Sequence, residues 1–172
     1  MKTVRIYNQE NIMNTSLTKS AQSVQAALEK KGLSATVVEL SDSTRTAQDA
    51  GAAIGCSVAQ IVKSLIFKTK ETNKPVLVLA SGPNRVNEKL IESYVGEKIV
   101  KADADFVREI TGFAIGGIPP IGHKQQIDLI FIDEDLLTFD SVWAAAGTPN
   151  AVFDLHSKDL LEMTGGKVVS IK

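Results

Sequence analysis

Hydrophobic positions recur with helical spacing in several segments of the chain. The first segment predicts a helix over residues 18–31, because its apolar residues are spaced by four, three and four positions and therefore share one face. These residues are Leu17, Ala21, Val24 and Leu28. Gly32 ends the pattern, as expected of the one residue that enters the left-handed C-cap conformation without strain. Further helices are predicted over residues 46–54, 86–95, 103–110 and 157–163.

Strand-like segments lie between these helices. Residues 61–70 and 75–80 are rich in Ile, Val, Leu and Phe, and the polar residues 71–74 between them predict a hairpin. Residues 127–133 form an almost continuous apolar run, which is typical of a buried strand. Shorter strands are predicted over residues 35–40, 99–100, 139–143, 151–155 and 167–171.

The order of these elements predicts the fold class. Strands occur in adjacent runs rather than in strict alternation with helices, so we expect a mixed α/β (α+β) fold with a curled mixed, largely antiparallel sheet flanked by helices. A doubly wound parallel sheet fits this order less well. No repeat or change in composition divides the chain, and we predict an N-terminal extension over residues 1–15 followed by one domain over residues 16–172.

The amino-acid composition and the net charge exclude several classes of protein. The 172 residues are 44% hydrophobic and 23% charged, as in a folded domain with its own core. Nineteen basic and 20 acidic residues give a net charge of -1, which excludes a uniformly basic nucleic-acid coat but leaves room for a local basic groove. Neither a bilayer-length apolar stretch nor the apolar region of a secretory signal is present, so we expect a cytoplasmic protein without a membrane partner.

Familiar catalytic motifs are absent from the sequence. It contains no P-loop, no glycine-rich dinucleotide fingerprint and no G-x-S-x-G nucleophile elbow. The single cysteine, Cys56, and the two histidines are far apart, so we expect no metal site, no other cofactor and no internal disulfide. As a nucleophile Cys56 would need a histidine as its base, and a small buried thiol is the favoured interpretation.

Lys63 stands near the start of the strongly apolar strand predicted over residues 61–70. A lysine there can project from the end of the sheet into a cleft, where its ammonium would hold a phosphate or polarise a carbonyl. A solvated lysine at the edge of a strand is the alternative.

A second candidate is the glycine- and proline-rich segment over residues 116–123. Its two glycines allow the backbone to approach a ligand, and its two prolines stiffen the loop and remove competing N–H donors. These residues are Gly116, Gly117, Pro119 and Pro120. Free amides of residues 116–118 could bind the oxygen of an ester carbonyl as negative charge develops on it. The alternative is a rigid crossover loop, and His123 is either a ligand contact or a polar residue at its rim.

Taken together, three segments resemble the YbaK/prolyl-tRNA synthetase editing-domain family, in that family's order. They are residues 61–65, 112–123 and 146–150, and the resemblance extends from about residue 16 to the end of the chain. It implies a compact mixed α/β domain on a curled sheet. It also implies a trans-acting aminoacyl-tRNA deacylase, which hydrolyses the ester joining a wrong amino acid to the 3′ end of a tRNA. Relatives act mainly on proline tRNA carrying alanine or cysteine.

The same resemblance assigns roles to residues of this chain. The functional lysine of the family corresponds to Lys63, which would contact the terminal adenosine or its phosphate. The G-x-x-x-P loop corresponds to Gly116 and Pro120, with Gly117 and Ile118 between them, and its backbone would hold the substrate carbonyl and exclude the larger, correct amino acid. Water would attack with help from this backbone and a terminal ribose hydroxyl, without a metal or a protein nucleophile. The expected substrate-binding residues are Ser64, Pro119, Pro120, His123, Gly147 and Thr148.

The chain also departs from the family pattern. Relatives that remove cysteine carry a serine-glycine-glycine stretch where residues 145–148 read Ala-Ala-Gly-Thr, and a carboxylate of those relatives aligns with Val152. We therefore expect a more apolar pocket. The near-neutral charge predicts a few contacts with the tRNA acceptor end, and prolyl-tRNA synthetase is a possible further partner. The candidate lysines are Lys63, Lys68, Lys70 and Lys124.

Two other classes of function remain open on the sequence alone. A catalytically silent module could capture tRNA ends or a synthetase through the same cleft, although it would have no need of free loop amides. A small-molecule esterase could use the loop as its oxyanion site, but no nucleophile signature accompanies it.

Overall fold

The computed structural model describes residues 17–172, so the predicted extension over residues 1–15 lies outside the described residues. All five predicted helices are present, with ends within two residues of those expected. Four of them begin at a residue whose side chain accepts a hydrogen bond from the first turn: Thr18, Thr46, Asn87 and Asp103. The helices are α1 (Lys19–Lys30), α2 (Ala47–Ile54), α3 (Glu88–Val95), α4 (Ala104–Thr111) and α5 (Ser157–Thr164).

The strands form one mixed sheet with the order β1-β7-β6-β2-β3-β5-β8, and β4 pairs separately with β2. Four of the seven strand pairs described are antiparallel and three are parallel. This confirms the predicted mixed α/β fold class. The strands are β1 (Val38–Glu39), β2 (Ile61–Thr69), β3 (Pro75–Ser81), β4 (Ile99–Lys101), β5 (Leu129–Asp133), β6 (Ser141–Ala145), β7 (Ala151–His156) and β8 (Lys167–Val169).

The first predicted strand is much shorter than expected. The pattern predicts residues 35–40, whereas β1 spans only Val38–Glu39. The side chain of Gln25 explains the difference, because its Oε1 accepts from the N–H of Val37 at 2.8 Å and its Nε2 donates to the carbonyl of Ala35 at 3.3 Å. Helix α1 therefore occupies backbone groups that a strand partner would otherwise use.

The core lies on both faces of the sheet, with β3 at its centre. Residues 76–80 of β3 are fully buried, because alternate side chains enter two different clusters. The larger cluster packs under α1 and α4, and the other packs under α3. Strand β2 is hydrogen-bonded to β3 along its length and is thereby held in a fixed position.

None of the helices described in residues 17–172 combines the length and apolar character needed to traverse a bilayer. The longest, α1, has 12 residues.

Candidate active site

The sheet has an opening along one side of β2. Strand β3 pairs with β2 from Val62 to Lys68, but on the opposite side β6 reaches only residues 61–62 and β4 only residues 67–69. The carbonyl of Ile66 accepts from the N–H of Ala102 at 3.2 Å on this second side. Backbone groups alternate between the two sides of a strand, so those of Ser64 point into the opening.

Two cavities meet at this opening, with volumes of about 490 and about 560 Å³. The first is bounded by α2 and the loop before Ile118, and the second by Glu88 at the start of α3 and by Val107 of α4. Six residues line both cavities: Lys63, Ser64, Leu65, Arg85, Ile115 and Ile118. The predicted lysine and the predicted loop therefore lie at one cleft, although 53 residues separate Lys63 from Gly116 in the sequence (116 − 63).

The Lys63 ammonium is partly buried and held at a defined position. Its Nζ donates to the backbone carbonyl of Asn84 at 2.7 Å. Burial lowers the pKa of Lys63, the negative charge of Asp133 opposes that effect, and the nearby Arg85 reinforces it. An ammonium has three N–H donors, and only one of them is used within residues 17–172, so the group can also bind an anionic ligand.

The hydroxyl of Ser64 is buried, and its Oγ has no hydrogen-bond partner among the described residues. A buried unpaired hydroxyl costs about 1–3 kcal/mol, so its presence in the wall of a cleft calls for an explanation. Substrate binding, as predicted for Ser64, would supply a partner.

The loop contributes its backbone to the first cavity. Gly116 has φ of 98° and, like Ile118, lines this cavity. Within the described part of the chain, the N–H groups of Gly116 and Ile118 donate to no protein acceptor. The expectation of three free amides is wrong for Gly117, because its N–H closes a turn by donating to the carbonyl of Ala114 at 3.2 Å. The amides of Gly116 and Ile118 remain as candidate donors for an oxyanion site.

The turn before β7 supports the loop from behind. The N–H of Gly147 donates to the carbonyl of Gly117 at 2.8 Å, and a Cβ on Gly117 would lie only 2.9 Å from backbone atoms of Thr148. The Thr148 hydroxyl accepts from the N–H groups of Asn150 and Ala151. Gly147 and Thr148 line neither of the two cavities, so they stand behind the loop rather than in the predicted contact position.

The prolines and the histidine of the loop have a similar supporting position. Pro119 and Pro120 are buried and line neither cavity. The Nε2–H of His123 donates to the carbonyl of Pro119 at 2.7 Å, and burial lowers the pKa of His123 although this hydrogen bond opposes the effect. Of the two readings of His123, the structure therefore favours the one in which it braces the loop.

Sequence reasoning missed two arginines of the cleft. Arg45 and Arg85 line the first cavity with Lys63, and a Cβ on Gly116 would lie 2.9 Å from Cγ of Arg45. Glycine at position 116 therefore leaves room for the arginine. Of the other candidate lysines, Lys68, Lys70 and Lys124 line neither cavity, and Lys68 lies over the ring of Phe106 at 5.4 Å.

Several small and apolar residues contribute to the remaining wall of the first cavity, together with the polar side chains of Thr44, Thr46 and Gln48. Ala47 and Ala50 of α2 contribute to it, as do Ala145 and Val152. Ala145 and Val152 stand where the sequence departs from cysteine-removing relatives, and the more apolar pocket expected there stays a prediction.

The other groups that could carry chemistry are the Cys56 thiol and any cluster of metal-ligating side chains. Burial raises the pKa of the Cys56 thiol, which lowers its thiolate fraction, and its own backbone only partly offsets this. In the part of the chain that the structure describes, no three histidine, cysteine, aspartate or glutamate residues form a group that could hold a metal.

Comparisons with known proteins show which family the chain resembles. The profile of a family described as "Aminoacyl-tRNA editing domain" matches residues 41–163. A solved structure described as a proposed trans-editing enzyme for prolyl-tRNA synthetase is 47% identical, with a TM-score of 0.86 over 91% of this chain and 99% of that one. An uncharacterised protein of Bacillus subtilis, YwhH, is 32% identical over 77% of this chain and 83% of its own length.

A proline–tRNA ligase of Limosilactobacillus fermentum is 34% identical over 49% of this chain, a match that spans only 16% of the ligase. The likeness to the ligase is thus to a small part of a larger enzyme. The family match covers well over half of the chain and includes β2, the loop and the turn before β7. This chain belongs to the aminoacyl-tRNA editing domain family.

Proposed function

We propose that the protein is a trans-acting deacylase that hydrolyses the ester of mischarged tRNA, with proline tRNA carrying alanine or cysteine as its substrate. The observation that carries this proposal is the first cavity, which is lined by Lys63 and by two loop residues whose amides have no acceptor within residues 17–172. Membership of the editing-domain family and the likeness to a proposed trans-editing enzyme support it.

In this proposal Lys63 binds the terminal nucleotide through its phosphate. The N–H groups of Gly116 and Ile118 bind the ester carbonyl oxygen and stabilise the negative charge that develops when water attacks the acyl carbon. The bond from that carbon to the ribose oxygen then breaks, and a proton from the water is transferred to the departing ribose oxygen. A neighbouring ribose hydroxyl orients the water, so no protein nucleophile is needed.

Selection by size follows from how little a single methylene contributes to binding. It is worth about 1–3 kcal/mol, so a synthetase rejects smaller amino acids poorly by fit alone. A second hydrolytic site with a restricted acyl pocket corrects this error. The alanine-rich wall formed by α2 and β6 suits a small, apolar acyl group, and the rigid loop would exclude proline.

The partner in this proposal is the acceptor end of the tRNA, with prolyl-tRNA synthetase as a further partner that could select the tRNA. The cluster of Arg45, Lys63 and Arg85 supplies the local positive charge that the chain as a whole lacks. Because the substrate is produced during translation, we place this activity in the cytoplasm.

The test is release of amino acid from proline tRNA charged separately with alanine, cysteine, serine or proline. We expect the alanine or cysteine ester to be hydrolysed above the buffer rate and the proline ester to be spared. Lys63→Ala should reduce kcat/KM by about 100-fold. Lys89→Ala, at an exposed lysine of α3, serves as the matched control and should leave the rate unchanged.

Each negative result has a separate meaning. Full activity of Lys63→Ala would refute the assignment of the site. Failure of the protein to hydrolyse any of the four esters would refute the deacylase proposal and leave the silent binding module, which the same tRNAs would test by direct binding.

A further inference from the structure

A buried carboxylate lies behind the cleft and has no part in the proposed chemistry. Asp133 ends β5, and only 1% of its surface is exposed. Its carboxylate accepts from the N–H of Ser81 at 3.0 Å, from Nδ2 of Asn84 at 2.8 Å and from the N–H of Asp135 at 3.0 Å. A buried charge is costly unless hydrogen bonds compensate it, and these three donors provide that compensation.

Asn84 connects this carboxylate to Lys63. Its side-chain Nδ2 donates to Asp133, while its backbone carbonyl accepts from Nζ of Lys63 at 2.7 Å. One residue of the turn after β3 therefore joins the buried acid on one side to the cleft ammonium on the other.

The turn itself is held rigidly. The N–H of Asn84 donates to the carbonyl of Ser81 at 2.9 Å, and the Ser81 hydroxyl donates to the carbonyl of Ala59 at 2.6 Å. A Cβ on Gly82 would overlap the carbonyl of Val58, so only glycine allows the turn to pack this closely. Small movements of the Asn84 carbonyl are thereby resisted from both sides.

The negative charge of Asp133 also acts on the Lys63 ammonium directly. Burial lowers the pKa of Lys63, and the negative charge of Asp133 counteracts this, whereas Arg85 adds to it. The other charged groups that line the two cavities are Arg45, Glu88 and Lys101, all of them exposed. Asp133 is thus the buried counter-charge of a site that otherwise carries more positive than negative groups.

We propose that Asp133 is a positioning residue which, through Asn84, holds the Lys63 ammonium charged and directed into the cleft. Its consequence for catalysis rests on the proposed deacylase function, but its consequence for the lysine itself does not. Without the connection from Asp133 through Asn84, Lys63 would keep its place on β2, but its ammonium would be more mobile and more easily deprotonated.

Asp135 provides a matched control on the same asparagine. Its Oδ2 also accepts from Nδ2 of Asn84 at 2.8 Å, but its side chain is 35% exposed and forms an ion pair with Lys172 at 2.7 Å. Solvent screens such a charge, so its removal should have little effect on Lys63.

The experiment compares Asp133→Asn, Asn84→Ala and Asp135→Asn in the full chain. The first variant removes the charge, and the second removes the side-chain tether but keeps the backbone carbonyl. The pKa of Lys63 is followed by NMR of protein whose lysines carry ¹³C-methyl groups, with Lys63→Arg used to assign the signal. Deacylation kinetics and melting temperature are measured in parallel.

We expect Asp133→Asn to lower the pKa of Lys63 and reduce kcat/KM by about tenfold, with the pH profile displaced toward lower pH. Asn84→Ala should reduce kcat/KM similarly while changing the pKa less, and Asp135→Asn should stay within about twofold of the parent. A melting temperature that falls without any change in the Lys63 signal would overturn the proposal. So would a normal rate in Asn84→Ala, because the tether would then be unnecessary.

The experiment distinguishes failure of the link from Asp133 through Asn84 to Lys63 from failure of the proposed deacylase function. The NMR titration needs no tRNA, so it tests the link from Asp133 to Lys63 even if no ester is hydrolysed. Should Asp133→Asn fail to fold, Asn84→Ala still tests the tether, since Asn84 is only half-buried.

Discussion

The two walls of the cleft are built in different ways. On the strand wall, the proposed functional group is the side chain of Lys63, and a polar network through Asn84 and Asp133 fixes it. On the loop wall, the proposed functional groups are backbone amides of Gly116 and Ile118, and the support comes from backbone contacts and from His123. The strand wall therefore presents a charged side chain, whereas the loop wall presents main-chain groups.

This difference predicts how substitutions in each wall affect activity and stability. A side chain on a rigid strand can be removed without disturbing its surroundings, so substitutions there should change activity more than stability. Backbone amides cannot be removed by truncating a side chain, and any change that displaces the loop should damage stability and activity together. Three substitutions test this contrast.

The largest effect is expected from Gly117→Ala on the loop wall. The new Cβ would lie 2.9 Å from the backbone of Thr148, which cannot move aside easily. We expect a loss of about 1–3 kcal/mol in unfolding free energy and about 100-fold in kcat/KM. Urea unfolding and deacylation assays measure the two quantities. Ala114→Ser, at an exposed position of the same loop, is the control. Normal activity in Gly117→Ala would mean that the loop tolerates displacement.

An intermediate effect with the opposite sign for stability is expected from Ser64→Ala on the strand wall. Removing a buried hydroxyl that has no described partner should leave the unfolding free energy unchanged or raise it by up to about 1 kcal/mol. If the hydroxyl binds substrate, kcat/KM should nevertheless fall about tenfold. A variant that is less stable by more than about 1 kcal/mol would show that the hydroxyl stabilises the free protein.

The smallest effect is expected from pH at His123. Burial lowers its pKa in the folded state, so below about pH 6.5 the unfolded chain binds more protons than the folded one. The unfolding free energy should therefore fall as the pH drops from about 6.5 toward the folded-state pKa of His123, whereas well above about pH 6.5 this contribution should be constant. His123→Gln should abolish this part of the dependence, and His156→Gln, at an exposed histidine, should not. Identical pH profiles for the parent and His123→Gln would contradict the assignment.

Local patterns predicted the helices and most strands correctly, and they singled out two segments that lie at one cleft in the structure. The first helix was found because its apolar residues recur at helical spacing. In the structure, short polar side chains next to the apolar residues cap three of the helices, namely Thr18, Thr46 and Asp103. Lys63 and the loop at 116–120 were found because unusual residues interrupt simple patterns there. Family membership, inferred from these same motifs, is confirmed by the comparisons.

The supporting residues could not be found in this way. Asn84 and Asp133 are 49 residues apart, and each by itself is an ordinary residue at the end of a strand. The occupied amide of Gly117 depends on a turn to Ala114 that the glycine and proline pattern does not specify. Arg85 follows a turn, and no feature of its neighbours distinguishes it from a solvated arginine.

Sequence alone thus determined the helices, most strands, the mixed character of the sheet and the identity of the lysine and the loop. These follow from periodicity and capping, which act over a few residues. Tertiary structure decided where β2 is left unpaired, which amides stay available and which buried acid faces the lysine. Those features arise when strands distant in the chain pair with one another, and the period of two shows which face of a strand is buried but not which strand lies beside it.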